Sequence, residues 1–229
     1  MVPYVLVHGG WDGGWSWREV ARYLRAAGHE TFTPTLTGSG ERVHLASPDV
    51  DLQTHITDVA NVLRYEDLRG VVLCGSSYSG MVITGVAEQV PQRIEHMVYL
   101  DAFVPEDGQS AADLVGPEIM GFMEQAAAAY GDGWRVPHNP PDADRRTGFA
   151  LKAGQQPLRI GNPEAASITR TFVHFTGKAD DDFMKPIMEE TAERAKAAGW
   201  SYVEMPFDHW PFLDRPQEVA TLLLELGGR

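Results

Sequence analysis

The sequence predicts a doubly wound α/β fold, in which a mostly parallel sheet of six strands is covered by helices on both faces. Short apolar segments rich in β-branched residues alternate with longer segments whose apolar residues recur at helical spacing. The strand segments are mostly apolar throughout, which is typical of parallel strands buried on both faces. Right-handed crossovers between such strands place helices on both sides of the sheet.

The predicted elements follow one another in strict alternation along most of the chain. Helix ends are marked by Gly28 after the first helix and by Pro91 after the third. The predicted strands are 4–7, 31–36, 71–77, 97–103, 170–176 and 200–205. The predicted helices are 15–27, 54–67, 79–90, 111–130, 183–198 and 216–226.

The stretch from about residue 104 to residue 167 departs from this alternation. Its first part predicts one Met- and Ala-rich helix, whereas residues 131–146 are dense in Gly, Pro and Asp and show no period. An excursion of this kind between two strands indicates an inserted helical cap. We therefore predict a single domain over 1–229 with a cap insertion at roughly 104–167.

Composition narrows the partners that this protein could have. With 19 basic and 32 acidic residues the formal net charge is −13, so the chain lacks the cationic surface that nucleic-acid binding requires. The first seven residues lack a basic start, and no apolar run approaches the length of a membrane helix. The sequence thus predicts a cytoplasmic protein that acts on small molecules without a nucleic-acid or membrane partner, and it leaves the oligomeric state open.

A serine between small residues at the end of the third strand predicts a nucleophile. In the pattern Gly-x-Ser-x-Gly a strand turns sharply into a helix and exposes the serine, so the residues two before and two after it must be small. Here Gly75 and Ser79 flank Ser77 in this way, and Ser79 takes the place of the usual last glycine. Gly80 follows directly and could relieve some of the crowding.

Other chemistry-bearing residues follow the ends of other strands. Ligands of doubly wound sheets bind beyond the carboxyl ends of the strands, where these residues would converge. A serine nucleophile needs a histidine base and an acid that fixes the tautomer of that histidine. His209 follows the last strand and is the predicted base, whereas His8 is predicted to brace the loop after the first strand.

The acid is expected in the turn after Thr176, where three aspartates follow one another. We prefer Asp181, with Asp180 next, and expect at least one of the three to cap the following helix. Asp101 ends the neighbouring strand and is a rival, although a role in bracing a loop is the simpler interpretation. The sequence alone does not separate these carboxylates.

An oxyanion hole and a substrate pocket complete the predicted site. The backbone amides of Tyr78, directly after the nucleophile, and of Gly10, in the loop after the first strand, are the predicted donors. Trp11 and Trp210 are predicted to line an apolar pocket. The predicted chemistry needs neither a cofactor nor a metal.

Five stretches together resemble a known family. HGGWDGGWSW, TLTGSGERVHL, VVLCGSSYSGMVI, LDAFVPEDGQS and FDHWPFLDRPQEVATLL are similar to the α/β-hydrolase fold, in its group of plant methylesterases, hydroxynitrile lyases and bacterial carboxylesterases, and most similar to bacterial esterases of the pyrethroid-hydrolase type. The resemblance implies a triad of Ser77, His209 and Asp181 or Asp180, and hydrolysis of small to medium apolar esters through an acyl-enzyme. Hydroxynitrile lyases of this group carry a lysine after the histidine, where this chain has Trp210. A lyase and a non-enzymatic small-molecule binder are the alternatives.

Overall fold

A parallel sheet of six strands forms the centre of the fold in the computed structural model, which describes residues 1–138 and 145–227. The strands are β1 Tyr4–Val7, β2 Thr31–Phe32, β3 Val71–Ser77, β4 Ile94–Ala102, β5 Arg135–Val136, β6 Phe149–Ala150, β7 Thr169–Phe175 and β8 Ser201–Met205. Their spatial order in the central sheet is β2-β1-β3-β4-β7-β8, and a separate antiparallel pair is formed by β5 and β6. The predicted fold class is confirmed.

Helices cover the sheet on both faces, as the alternation of elements predicts. They are α1 Arg18–Ala26, α2 Leu52–Tyr65, α3 Ser79–Gln89, α4 Ala111–Tyr130, α5 Leu151–Gln155, α6 Pro163–Ala166, α7 Met184–Ala197, α8 Pro211–Asp214 and α9 Pro216–Gly227. None of the described helices combines the length and the apolar character needed to cross a bilayer.

The second strand is shorter than the sequence predicts. Only Thr31 and Phe32 pair with β1, whereas the sequence predicts a strand over 31–36. Pro34 has no amide proton to donate to a ladder, so the strand ends before it. The backbone that follows is instead held by His8, whose ring accepts a hydrogen bond from the Leu36 amide at 3.0 Å.

The inner strands β1, β3 and β4 bury both of their faces. In β1, Val5 and Val7 belong to a core shared with α2, α3 and α7, whereas Tyr4 and Leu6 belong to a second core shared with α1 and α9. Cys74 lies fully buried in the second core, as its position in an apolar run predicts. Burial on both faces explains why these segments are apolar without alternation.

The segment between β4 and β7 contains α4, the β5–β6 pair, α5 and α6. Helix α4 has the predicted bounds but is kinked at Gly116, which adopts a φ of 82° just before Pro117. The stretch 131–146, which the sequence predicts to be irregular, is described only up to 138 and from 145 onwards. The single domain with its cap at roughly 104–167 stays a prediction.

Gly80 is required by the close approach of α3 to the end of β4. A Cβ atom there would lie 2.0 Å from the Phe103 carbonyl oxygen. This oxygen is a backbone atom, so it cannot move aside as the end of a flexible side chain can. We expect Gly80→Ala to lower the free energy of unfolding by about 3 kcal/mol, as for overpacked core sites. Urea denaturation followed by circular dichroism measures the change.

Gly121→Ala is the matched control in another helix. A Cβ atom at Gly121 of α4 would meet nothing within 4 Å, so this change should raise the stability by up to about 1 kcal/mol through helix propensity. Equal effects of the two substitutions would contradict the packing described at Gly80.

Candidate active site

The turn between β3 and α3 places Ser77 in a strained backbone conformation. Ser77 has a φ of 53°, in the left-handed region that L residues rarely adopt, and its carbonyl accepts a hydrogen bond from the Phe103 amide at 3.0 Å. Such strain persists only where the surrounding structure enforces it, and it clusters at functional sites. The conformation is the one expected for a nucleophile on a sharp strand-to-helix turn.

The Ser79 side chain is part of this turn. Its hydroxyl accepts a hydrogen bond from the Ser76 amide at 2.8 Å and reaches the carbonyls of Val7 and Ser76, each at 2.8 Å. Ser79 is the first residue of α3, so its backbone does not need the freedom of glycine. A serine is therefore accommodated where the family pattern has glycine, and its hydroxyl links the turn to β1.

The loop after β1 passes directly against the serine turn. A Cβ atom at Gly9 would lie 3.0 Å from the Ser77 Cβ, so only glycine fits here without displacement. His8 holds this loop through two hydrogen bonds of its ring. Nε2 accepts a hydrogen bond from the Leu36 amide, so Nδ1 carries the ring proton and donates it to the Gly9 carbonyl at 2.8 Å. Burial lowers the pKa of His8 to about 4.

Asp101 and His209 form a buried pair beside this turn. The register of β3 and β4 shifts so that Ser76 faces Leu100 and Ser77 faces Ala102, which leaves Asp101 between them with a φ of 47°. The Asp101 Oδ2 lies 2.7 Å from the His209 Nδ1, and the two side chains are 0% and 3% exposed. An ionised carboxylate only accepts, so Nδ1 carries a proton, and in the neutral ring Nε2 is then the nitrogen with the lone pair.

Three further polar contacts hold the Asp101 carboxylate. Oδ1 accepts a hydrogen bond from the Phe175 amide at 3.2 Å, and the Lys178 Nζ lies 2.8 Å from Oδ1 and 2.9 Å from Oδ2. Burial alone would raise the pKa of Asp101, but the hydrogen bond from His209 and the charge of Lys178 outweigh it and hold the pKa below its ordinary value. The carboxylate is therefore ionised at neutral pH.

The aspartate that contacts His209 is Asp101, and not one of the two preferred candidates in the turn after β7. Asp180 is fully exposed and paired with Lys185, and Asp181 is also exposed, so neither reaches His209. Asp182 accepts a hydrogen bond from the Met184 amide at 2.8 Å, which is the helix-start role predicted for at least one of the three.

The backbone explains why this turn does not bring an aspartate to His209. Thr176 and Gly177 continue beyond β7 and bond to the Met205 and Phe207 carbonyls at 2.9 and 2.8 Å. The residue that this turn buries is Lys178, and the aspartates follow only after the chain has reached the surface. Asp101, the rival in the sequence analysis, thus contacts the histidine.

The predicted oxyanion donors flank the turn from two sides. Tyr78 directly follows Ser77 and caps the start of α3, where backbone amides lack intrahelical partners. Gly10 lies in the loop after β1, just before Trp11, which has a φ of 65°. A Cβ atom at Gly10 would lie 3.6 Å from the Phe149 ring. Their role as donors stays a prediction.

Aromatic rings surround this region. The Trp11 ring centroid lies 5.5 Å from Phe149, Phe149 lies 4.8 Å from Tyr78, and Trp210 lies 5.0 Å from His209. The structure thus brings the two predicted tryptophans to the loop and to the histidine, and it adds Phe149, which sequence reasoning missed. Phe149 lies in β6, inside the segment whose packing the sequence does not define.

Within residues 1–138 and 145–227, no three His, Cys, Asp or Glu side chains are grouped in a way that could hold a metal ion.

The buried neutral state of His8 predicts a pH dependence of stability. Its pKa falls from 6.5 to about 4 on folding, so between these values the unfolded chain binds the proton and the folded chain does not. The contribution of His8 is present above pH 6.5 and is lost as the pH falls towards 4, by up to about 3 kcal/mol. The free energy of unfolding of the wild type should therefore fall more steeply over this range than that of His8→Gln. Parallel curves would contradict this assignment.

Comparison with known proteins agrees with this geometry. The model of the alpha/beta hydrolase family matches residues 4–222. A carbendazim hydrolyzing esterase of Nocardioides sp. (strain SG-4G) is 37% identical over 247 residues, covering 99% of this chain and 100% of that protein. Among solved structures, an extracellular alpha/beta-hydrolase from a Paenibacillus species is 24% identical with a TM-score of 0.80, covering 98% of each chain. A pyrethroid hydrolase from Sphingobium faniae JZ-2 is 18% identical with a TM-score of 0.76, covering 99% of this chain and 97% of the other. The resemblance seen in the sequence is confirmed, and the protein belongs to the alpha/beta hydrolase family.

Proposed function

We propose that this protein is a serine hydrolase that cleaves carboxylic esters, with Ser77 as nucleophile, His209 as base and Asp101 as the acid that orients the base. The observation that carries this proposal is the buried 2.7 Å contact between the Asp101 Oδ2 and the His209 Nδ1, next to a serine with a φ of 53°. The esterase relative that matches the chain over its full length supports the same reaction class.

The proposed reaction proceeds through an acyl-enzyme. The Ser77 hydroxyl attacks the ester carbonyl carbon while the His209 Nε2 takes its proton, and the resulting imidazolium is stabilised by the Asp101 carboxylate. The amides of Tyr78 and Gly10 stabilise the negative charge on the carbonyl oxygen. The imidazolium then protonates the departing alcohol, and water, activated by the same histidine, releases the acid.

The state of the acid suits this role. A carboxylate that is buried, ionised and held by three groups keeps the histidine in the tautomer with a free Nε2 lone pair. No further group is needed for the proton transfers, so we propose that the enzyme works without a cofactor.

The substrate that we propose is a small to medium ester with apolar groups. The rings of Trp11, Phe149 and Trp210 support an apolar surface at the site. A panel of esters that vary separately in acyl and alcohol size, with carbendazim included because of the Nocardioides relative, would define the preference.

We further propose a cytoplasmic location and no nucleic-acid or membrane partner. The formal net charge of −13 disfavours phosphate backbones, and the buried thiol of Cys74 does not require an oxidising compartment. Cell fractionation and gel filtration would test the location and define the oligomeric state.

Loss of the nucleophile gives the first functional test. Ser77→Ala should reduce the hydrolysis of p-nitrophenyl acetate by at least about 10⁴, because the acyl-enzyme no longer forms. It should also abolish labelling by a fluorophosphonate, while the melting temperature changes little because only a hydroxyl is removed. A Ser77→Ala protein that keeps full esterase activity would exclude the proposed nucleophile.

The acid is tested by matched amide replacements. Asp101→Asn should lower kcat by roughly 10⁴, since an amide does not hold the histidine in the required tautomer. Asp181→Asn, at an exposed position, is the control and should retain nearly full activity. Circular dichroism of both variants confirms that they fold. A reversed order of the two activities would return the acid to the turn after β7.

A further inference from the structure

A lysine is buried behind the proposed acid. The side chain of Lys178 is 1% exposed, and its ammonium group donates to both carboxylate oxygens of Asp101 and to the Phe175 carbonyl. Three acceptors thus surround a group with three protons. Lys178 comes from the turn after β7, where the sequence predicts the acid itself.

The burial of this ammonium needs a reason beyond packing. Moving a lysine charge out of water is unfavourable, and a hydrophobic side chain of similar volume often serves stability equally well. The position of Lys178 also gives its charge an electrostatic effect on the histidine, because the carboxylate that Lys178 binds is the one hydrogen-bonded to His209. A fixed positive charge therefore lies next to the acid–base pair of the proposed reaction.

Two consequences follow from this geometry. First, Nζ spans both oxygens while the Phe175 amide holds Oδ1, so the carboxylate cannot rotate and Oδ2 stays directed at the His209 Nδ1. Second, the charge of Lys178 offsets that of Asp101. A lone buried carboxylate would strongly favour the imidazolium, whereas the ion pair favours it less.

The other charged groups around Asp101 and His209 do not offset the charge of Asp101 in place of Lys178. Asp12, on the loop after β1, is paired with Arg146 at 2.9 Å, and Asp208 is exposed beside His209. The further titratable groups that feel this cluster are His174 of β7 and His138. Lys178 is the cation in direct contact with the acid.

We infer that Lys178 is a positioning residue that locks the Asp101 carboxylate against His209 and offsets the negative charge beside the base. This inference rests on the proposed esterase function. It assigns a role to a residue that does not contact the substrate and that acts only through Asp101.

The test compares variants that keep or remove the charge. kcat/KM for p-nitrophenyl acetate is measured from pH 5 to pH 9 for the wild type, Lys178→Gln, Lys178→Arg and the control Lys185→Gln, which removes an exposed lysine–aspartate pair in the same region. The acid limb of this profile is the pH range in which kcat/KM falls because the essential base of the free enzyme becomes protonated.

Lys178→Gln should move the acid limb upward by about one pH unit or more, which lowers kcat/KM about tenfold at pH values below the limb and less at the plateau. Lys178→Arg keeps the charge and should keep the limb near its wild-type position even where the plateau falls. Lys185→Gln should leave the whole profile unchanged. An unmoved limb in Lys178→Gln, or an equal shift in Lys178→Arg, overturns the inference.

A second variant covers the case in which Lys178→Gln does not fold. The double variant Asp101→Asn/Lys178→Gln has no buried charge at this position and should melt at a higher temperature than Lys178→Gln alone. A double variant that is no more stable than the single variant overturns the pairing.

The outcomes also separate the inference from the proposed function. A wild type that neither reacts with a fluorophosphonate nor hydrolyses the ester contradicts the esterase proposal itself. A wild type that does both, with an acid limb that is insensitive to the charge at position 178, contradicts only the role of Lys178.

Discussion

The buried carboxylate of Asp101 is the interaction on which the rest of the site depends. It joins three parts of the chain that are distant in sequence: the Phe175 amide of β7, the Lys178 ammonium in the turn that follows, and the His209 ring beyond β8. Because the Asp101 carboxylate is fully buried, the loss of any one of these partners would leave an unsatisfied charge or lone pair in the interior. The carboxylate thus fixes the loop that carries the histidine to the centre of the sheet.

Backbone strain at the strand ends reinforces this arrangement. Three residues other than glycine adopt left-handed conformations at or beyond the ends of the neighbouring strands β3, β4 and β1: Ser77 at φ 53°, Asp101 at φ 47° and Trp11 at φ 65°. Each such residue costs on the order of 1–3 kcal/mol. The packing of the buried sheet and hydrogen bonds such as that from the Phe103 amide to the Ser77 carbonyl offset this strain energy. The proposed nucleophile, acid and oxyanion loop are therefore held in position before any substrate binds.

Much of this fold could be predicted because its signals are local. Uniformly apolar strands, helical periodicity and small residues around Ser77 are properties of short windows, and they predict the parallel sheet and the turn. His209 could be placed because parallel strands end at a common edge of the sheet. β2 is shorter than predicted because the threonines around Pro34 favour a strand, whereas Pro34 lacks the amide proton that a longer ladder needs.

The contact between Asp101 and His209 could not be predicted, because it depends on the direction of side chains after a strand ends. Asp101 reaches His209 because a register shift between β3 and β4 leaves Asp101 without a partner residue on β3. No local sequence pattern predicts such a shift. Lys178 was missed for a related reason: lysine is rarely fully buried, so its burial follows only from the three-dimensional position of its partner. Phe149 belongs to the segment before β7, where the sequence indicates no packing.

The central claim, that Asp101 holds the proton of His209 at Nδ1, can be observed directly. Proton NMR of the wild type labelled with ¹⁵N-histidine should show a strongly downfield resonance bonded to the His209 Nδ1, assigned through its loss in a His209→Gln variant. The account predicts that this resonance persists in Asp181→Asn and disappears or moves far upfield in Asp101→Asn. A resonance that survives in Asp101→Asn but is lost in Asp181→Asn would contradict the account.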